Sequence, residues 1–258
     1  LSTNTDYALN KRMADYKQPV LEADIPLMLL APTITNDGRK LLIADLPVSY
    51  LTQTDYLDNL NHVGMVESLD CRQLLQDQQP DSLSFLSALR MNATFFYVLP
   101  NVLLPTMPQT EVMDAGIRDN YGTQHTLRYI TRFLDWINEN TSGVVIVQVR
   151  DRYKTVDIKS KANRSLLESF TRPIQVVSDN YLTIQSFNQD EMLMHMSGLL
   201  KNKISVINYQ LKRTEQENIA LSWHLSNKEK KRIYESVYEP ENQKSTEILI
   251  KLLELEKD

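Results

Sequence analysis

The chain has 258 residues, of which 42% are hydrophobic and 24% are charged, and its formal net charge is −5. This composition is ordinary for a folded globular protein, and the length suits one large domain or a domain with an appendage. The acidic balance disfavours nucleic acid as a partner, because binding to a phosphate backbone requires a cationic surface.

Several kinds of ligand site are not expected from the sequence. The six glycines are dispersed and form no GxGxxG motif and no P-loop, so no cofactor is predicted. The four histidines lack HxxxH and HExxH spacing and Cys71 is the only cysteine, so neither a metal site nor a disulfide framework is predicted. No apolar run approaches the ~18 residues of a membrane span. A reducing compartment is favoured, with a cytoplasmic or membrane-peripheral location.

Strand and turn signals alternate in the first part of the chain. Residues 6–19 predict a polar helix, and the apolar run 25–34 predicts a buried strand. The tetrapeptide Asn-Asp-Gly-Arg at 36–39 is a tight-turn signal, and it is followed by Lys-Leu-Leu-Ile-Ala-Asp at 40–45, in which residues 41–44 are apolar. A hairpin or a strand pair is therefore expected here.

The middle of the chain has the order of a βαβ unit. Residues 82–91 predict a short helix, and residues 126–138 carry apolar side chains at helical spacing. Residues 144–149 are β-branched and nearly all apolar, as in a core strand. We therefore expect a right-handed crossover in which Val112-Met113 and Val144 to Val149 are parallel, neighbouring or next-neighbouring strands. The predicted fold class is α/β, with a parallel-type sheet flanked by helices.

The last third is predicted to be rich in helix, with one strand at 204–209. Ser226 and Glu229 have capping-box spacing, which predicts a helix start, and Pro240 is suited to the first residue of a last helix ending near Leu255. The predicted organisation is an α/β domain over residues 1–150 and a helix-rich extension over 151–258 that packs on it.

The segment with the most chemical information is VMDAGIRDNYG, from Val112 to Gly122. A short strand ends at Asp114, a small residue and Gly116 turn the chain, and Asn120 follows. A carboxylate at the carboxyl end of a parallel strand points into the crevice where α/β proteins bind ligands. The alternative is a simple strand-ending turn in which Asp114 caps the next helix.

This segment and the preceding stretch ALRMNATFFYVLP, from Ala88 to Pro100, resemble the Asp-Gly-Gly/Ala region of patatin-like lipid acyl hydrolases. The resemblance covers roughly Pro19 to Arg150. It implies that Asp114 activates a serine, that Ala115 replaces the commoner second glycine, and that Asn120 braces the loop. The family's GxSxG serine and glycine-rich oxyanion loop do not occur in the sequence.

The resemblance implies the C-terminal part of a bacterial patatin-like phospholipase domain, acting on a lipid or another acyl ester with a Ser–Asp dyad. The nucleophile would lie outside these residues, so the chain alone is expected to be inactive. The chain begins at Leu1 rather than at a methionine, as in a processed or truncated product. A truncated sheet would expose an edge, and self-association through that edge is expected.

Other roles remain open at this stage. Arg90 and Arg118 could bind a phosphate head group, or they could form ion pairs within the domain. His125 lies near Asp114 in sequence, but no nucleophile motif accompanies it, and we interpret it as a helix-start residue. The alternative function is a non-catalytic lipid- or protein-binding module on a degenerate patatin-like scaffold.

Overall fold

The computed structural model describes residues 6–7, 9–52, 66–94, 100–150, 181, 183–200, 203–211 and 225–254. The chain divides into two compact units, each made of two separate stretches of sequence. The first unit comprises Leu1–Phe133 and Val176–Leu193, and the second comprises Leu134–Gln175 and Met194–Asp258. The domain boundary expected after residue 150 stays a prediction.

The first unit contains a five-stranded sheet and short helices. Its strands are β1 (Thr33–Ile34), β2 (Lys40–Leu42), β3 (Ser68–Asp70), β4 (Val102–Leu104) and β5 (Thr110–Met113). Its α-helices are α1 (Lys17–Leu21), α2 (Cys71–Leu74), α3 (Phe85–Asn92), α4 (Gly116–Asp119), α5 (Thr123–Arg132) and most of α7 (183–196). Its described residues also form 3-10 helices at Met13–Tyr16, Ser49–Leu51, Gln76–Gln78 and Pro80–Ser82.

The sheet of the first unit is mixed, with the strand order β3-β2-β1-β5-β4. Only β2 and β3 are parallel, whereas β1 is antiparallel to both β2 and β5, and β4 is antiparallel to β5. The α/β class is therefore confirmed, but the expectation of a parallel-type sheet is wrong. Two of the antiparallel pairs, β1–β2 and β4–β5, have short connections, and strands joined by a few residues pair as hairpins.

The turn between β1 and β2 is the hairpin that the sequence predicts. Thr33 pairs with Lys40, and the amide of Gly38 donates to the carbonyl of Ile34 at 2.9 Å. Gly38 has φ of +76°, a conformation that favours glycine, and the Asp37 carboxylate accepts from the Arg39 amide at 3.0 Å. Glycine and aspartate therefore each satisfy one requirement of the turn.

Both faces of β2 are covered by apolar side chains. Leu41 lies in one cluster, with Ile34, Phe85, Met91 and Val112 among its members. Leu42, which points to the opposite face because side chains alternate along a strand, lies in a second cluster with Val48 and Leu51. Burial on both faces explains why this part of the sequence is almost continuously apolar.

The described part of the second unit contains a two-stranded parallel sheet and helices. The strands β6 (Gly143–Arg150) and β7 (Lys203–Gln210) pair over their whole length. The helices that lie wholly within it are α6 (Leu134–Asn140), α8 (Asn227–Ser236) and α9 (Pro240–Glu254). The Asn242 side chain of α9 bonds both the amide and the carbonyl of Gln210, at 2.9 Å each, and so ties α9 to β7.

Two helix starts in this unit confirm the sequence prediction. Ser226 and Glu229 form the reciprocal capping box at the start of α8, and Pro240 is the first residue of α9.

On β6, the side chains of Val145, Val147 and Val149 are exposed. Self-association through a sheet edge stays a prediction.

The expected βαβ unit is wrong. Val112-Met113 belongs to β5 of the five-stranded sheet, whereas Val144 to Val149 lies in β6 of the separate two-stranded sheet. The single helix expected over 126–138 is two helices, α5 and α6, separated at Phe133. Residues 144–149 are also not the core strand that their composition predicts, because Val145, Val147 and Val149 are exposed. Hydrophobic patterning does not identify the strand with which a segment pairs.

Candidate functional site

Asp114 immediately follows β5, and hydrogen bonds hold its backbone on both sides. Its amide donates to the carbonyl of Thr94 at 3.0 Å, and its carbonyl accepts from the Thr33 hydroxyl at 2.9 Å. The next amide, of Ala115, donates to the carbonyl of Asn92 at 3.1 Å. The structure therefore brings together the two stretches, around 92–94 and 112–122, on which the family resemblance rests.

The mixed sheet removes one argument for Asp114. Both neighbours of β5 are antiparallel to it, so the rule that ligands bind at the carboxyl ends of parallel strands does not apply. The case for a functional carboxylate therefore rests on the geometry of the turn itself.

The Asp114 carboxylate is partly buried, and among the described residues one of its two oxygens is hydrogen-bonded. Its Oδ1 accepts from the amide of Gly116, the first residue of α4, at 2.7 Å, while the N-cap position itself is Ala115. In the described part of the chain, Oδ2 makes no hydrogen bond. Burial raises the pKa of Asp114 above its usual value of 3.8, and the Gly116 hydrogen bond only partly opposes this. A fixed carboxyl group with a raised pKa and one available oxygen has the properties of a general base.

Gly116 is required for space rather than for an unusual φ. It lies in α4, and a Cβ on it would be 2.8 Å from Asp114 Oδ1 and 2.8 Å from Asn120 Oδ1. The structure thus places a side-chain oxygen of Asp114 and one of Asn120 next to the glycine. Ala115 has φ of −64° and ψ of −31°, which any L-residue adopts, so an alanine is tolerated where a glycine is commoner in the family pattern.

We expect Gly116→Ala to destabilise the first unit by about 1 kcal/mol, although alanine is normally the better helix former. The added methyl would displace the Asp114 carboxylate from the Gly116 amide and break that hydrogen bond. Chemical denaturation, with the residue-116 amide followed by NMR, would measure this. Gly198→Ala is the control, since its Cβ meets nothing closer than 3.5 Å. A more stable Gly116→Ala protein would contradict the prediction.

The two arginines considered for head-group binding have other environments. Arg118 Nη2 lies 3.0 Å from Glu67 Oε1, so this arginine forms an ion pair within the unit. Arg90 is exposed near the end of α3, and no contact between described residues joins it to Asp114. The head-group role of both arginines stays a prediction.

A cluster of buried charges lies beside the Asp114 turn. Its centre is Lys40 on β2, whose side chain has no exposed surface. Lys40 Nζ donates to Gln124 Oε1 at 2.6 Å and lies 3.3 Å from Glu67 Oε1 and 3.9 Å from Asp119 Oδ2. Burial lowers the pKa of Lys40, while Glu67 and Asp119 oppose that shift. The two carboxylates therefore reduce the cost of burying the ammonium group.

Glu67 is the main anion of this cluster. It lies between Lys40, Arg118 and Arg128, and Arg128 donates to Glu67 Oε2. Burial alone would raise the pKa of Glu67, but the attraction of Lys40 and Arg128 outweighs it and lowers the pKa to about 2. Glu67 is therefore ionised at neutral pH and compensates three cations.

A serine, a histidine and an aspartate also meet in this cluster. Ser68 Oγ lies 3.2 Å from His125 Nε2, and His125 Nδ1 lies 3.8 Å from Asp119 Oδ2, which is too long for a hydrogen bond. Burial lowers the pKa of His125, which favours the neutral ring. Ser68 has no exposed surface, so an acyl ester cannot reach its hydroxyl. The group is a structural network, and His125, the third residue of α5, is the helix-start residue that the sequence predicts.

Sequence reasoning missed the charge cluster and two glutamines of α7. Lys40 left only the signal that it begins an almost continuously apolar strand, which does not by itself show that its charge is buried. Glu67, Arg128, Gln185 and Gln189 left none, because each finds its partners far along the chain.

Comparisons with known proteins found no match among protein-family models, curated proteins or solved structures. Within the described residues, no group of three or more His, Cys, Asp and Glu side chains is arranged to hold a metal ion. No helix in that part of the chain is both long and apolar enough to cross a bilayer.

Proposed function

We propose that this chain is part of a bacterial patatin-like lipid acyl hydrolase and supplies Asp114 as the base of a Ser–Asp dyad. The observation that supports this most is the Asp114 turn. Its carboxylate is held by the Gly116 amide, its pKa is raised by burial, and Oδ2 is available among the described residues.

The reaction that suits this carboxylate is acyl transfer from a lipid ester to water. Asp114 would accept the proton of a serine hydroxyl as the serine oxygen attacks the ester carbonyl, and it would pass that proton to the alcohol as the alcohol leaves. In the second half of the reaction, water would release the fatty acid from the acyl-serine, while Asp114 would take a proton from the attacking water and return it to the serine oxygen. The serine and the oxyanion donors would come from residues outside this chain, because its sequence contains neither motif.

We expect the isolated chain to hydrolyse no short acyl ester, since removing the nucleophile leaves at most the rate from binding and the oxyanion hole. In a longer protein that adds a GxSxG segment, Asp114→Asn should lower kcat by roughly 10³-fold or more. An assay with p-nitrophenyl esters would measure both, with the exposed Asp24→Asn as control.

Two results would contradict this proposal in different ways. Turnover by the isolated chain that is lost in Asp114→Asn would place the nucleophile within these residues. An upstream coding sequence without a GxSxG motif would instead support the non-catalytic module, in which Asp114 only caps α4.

A further inference from the structure

The turn that carries Asp114 is tied at both ends by one buried side chain from α7. Gln185 Oε1 accepts from the amide of Asn120 at 2.9 Å. Its Nε2 donates to the carbonyl of Ile117 at 3.0 Å and to that of Gly116 at 3.4 Å. The side chain is almost fully buried, with 8% of the residue exposed. One primary amide thus bonds the backbone at the start and just past the end of α4.

The length of α4 explains why such a contact is needed. A helix of four residues leaves most of its amides and carbonyls without intrahelical partners, and buried backbone groups must be paired. A glutamine side chain offers a donor and an acceptor side by side, which fits the carbonyl of Ile117 and the amide of Asn120, three residues apart. Gln185 therefore supplies hydrogen bonds that α4 cannot make for itself.

A second glutamine, one helical turn further along α7, holds the other side of α4. Gln189 is 1% exposed, and its Nε2 donates to Asp119 Oδ1 at 2.9 Å. Asp119 Oδ2 accepts from the amide of Gln124 at 3.1 Å, so the carboxylate is fixed from two directions. Residues four apart lie on the same face of a helix, and α7 thus directs both amides at the same short element.

We propose that Gln185 and Gln189 are positioning residues for Asp114. Together they fix α4, and α4 fixes the carboxylate through the 2.7 Å bond from the Gly116 amide to Asp114 Oδ1. The catalytic meaning of this arrangement rests on the proposed function, whereas the coupling from α7 to the Asp114 carboxylate does not.

The test is an NMR titration of the Asp114 carboxyl carbon in this chain, assigned with Asp114→Asn. In Gln185→Leu, we expect the pKa of Asp114 to fall toward 3.8, because the loosened turn hydrates a carboxylate whose pKa is raised mainly by burial. Amide exchange at Gly116 and Asn120 should become about tenfold faster or more. Gln189→Leu should shift both readouts in the same direction. An unchanged Asp114 titration in a folded Gln185→Leu protein would overturn the proposal.

Asn188→Leu is the matched control, because it makes a similar amide-to-leucine change at an exposed position of the same helix. It should leave the Asp114 titration unchanged, and an equal shift in this variant would also overturn the proposal. If Gln185→Leu does not fold, amide exchange in the unmodified chain tests the proposal instead. The Asn120 amide must then exchange more slowly than in an unstructured peptide, and exchange at the unstructured rate would remove Gln185 as its partner.

The same variants separate this inference from the proposed function. In a longer protein that hydrolyses esters, Gln185→Leu should lower kcat by roughly 10- to 100-fold with KM unchanged, since a small misplacement of a catalytic group is costly. Absence of esterase activity would remove the proposed function and leave the titration and exchange results standing. An unchanged titration would remove the positioning role whatever the activity.

Discussion

Replacing Asp119 by asparagine is expected to destabilise the first compact unit by about 3–5 kcal/mol, the usual cost of removing one partner of a buried ion pair. The Asp119 side chain has no exposed surface and faces Lys40, the Gln124 amide and Gln189 Nε2. All three are donors. The amide group of asparagine would turn an NH₂ toward donors and leave the buried Lys40 ammonium with less compensation.

Hydrogen exchange at neutral pH is the measurement for Asp119→Asn, because peptides from β2 and α5 report on the first unit alone. The control is Asp77→Asn, an exposed position where a change within about 0.5 kcal/mol is expected. Exchange as slow as in the unmodified chain would show that Asp119 does not stabilise Lys40. The Asp114 titration should also shift, since Asp119 is the last residue of α4.

The second large effect is expected for Glu67→Gln, a loss of about 3 kcal/mol at pH 7. Glu67 compensates three cations, and its pKa falls from 4.5 to about 2 in the folded chain, a difference that corresponds to this free energy. A carboxylate with a lowered pKa stabilises the fold above its unfolded pKa, and that contribution disappears as pH falls through the folded value. The gap between the two proteins should therefore be complete above about pH 5 and close toward pH 2.

The Glu67 prediction is tested by urea unfolding of the unmodified chain and of Glu67→Gln at several pH values, with hydrogen exchange in the first unit as the readout. Glu22→Gln, at an exposed position, should show no such pH-dependent gap. In a Lys40→Met background the loss on Glu67→Gln should shrink by about 1–3 kcal/mol, because a charge that Glu67 compensates is gone. A gap that persists unchanged at pH 2 would mean that the effect comes from packing rather than from charge.

Local features of the fold could be predicted from the sequence, and long-range pairing could not. The hairpin at Asn36 to Arg39, the capping box of Ser226 and the Pro240 helix start each depend on neighbouring residues. The strand that pairs with β6 is β7, which lies more than fifty residues further along the chain. Hydrophobic patterning does not indicate which of two distant strands will pair. The predicted βαβ crossover was wrong for this reason.

The same distinction holds for the candidate site. Asp114, Gly116 and Asn120 were predicted together, and they are adjacent in the structure because they lie within one turn of chain. The glycine at 116 provides room for two side-chain oxygens rather than a sharp turn of the backbone, and that requirement is visible only in the folded chain. Glu67 and Gln185 escaped prediction because their roles arise only when distant segments pack together.

The division of the first unit into two stretches of sequence has a consequence for how the protein is made. Ile117 and Gln185 are separated by 68 residues, so the amide that binds the Ile117 carbonyl is synthesised well after the turn itself. The Asp114 turn leaves the ribosome before α7, so the Asn120 amide and the Ile117 carbonyl have no bond to Gln185 until α7 has been synthesised. A fragment ending at residue 150 would never receive that helix. The Asp114 turn is therefore expected to reach its final structure late in biosynthesis. A chain that ends anywhere between residues 133 and 183 should lack the hydrogen bonds from Gln185 to this turn.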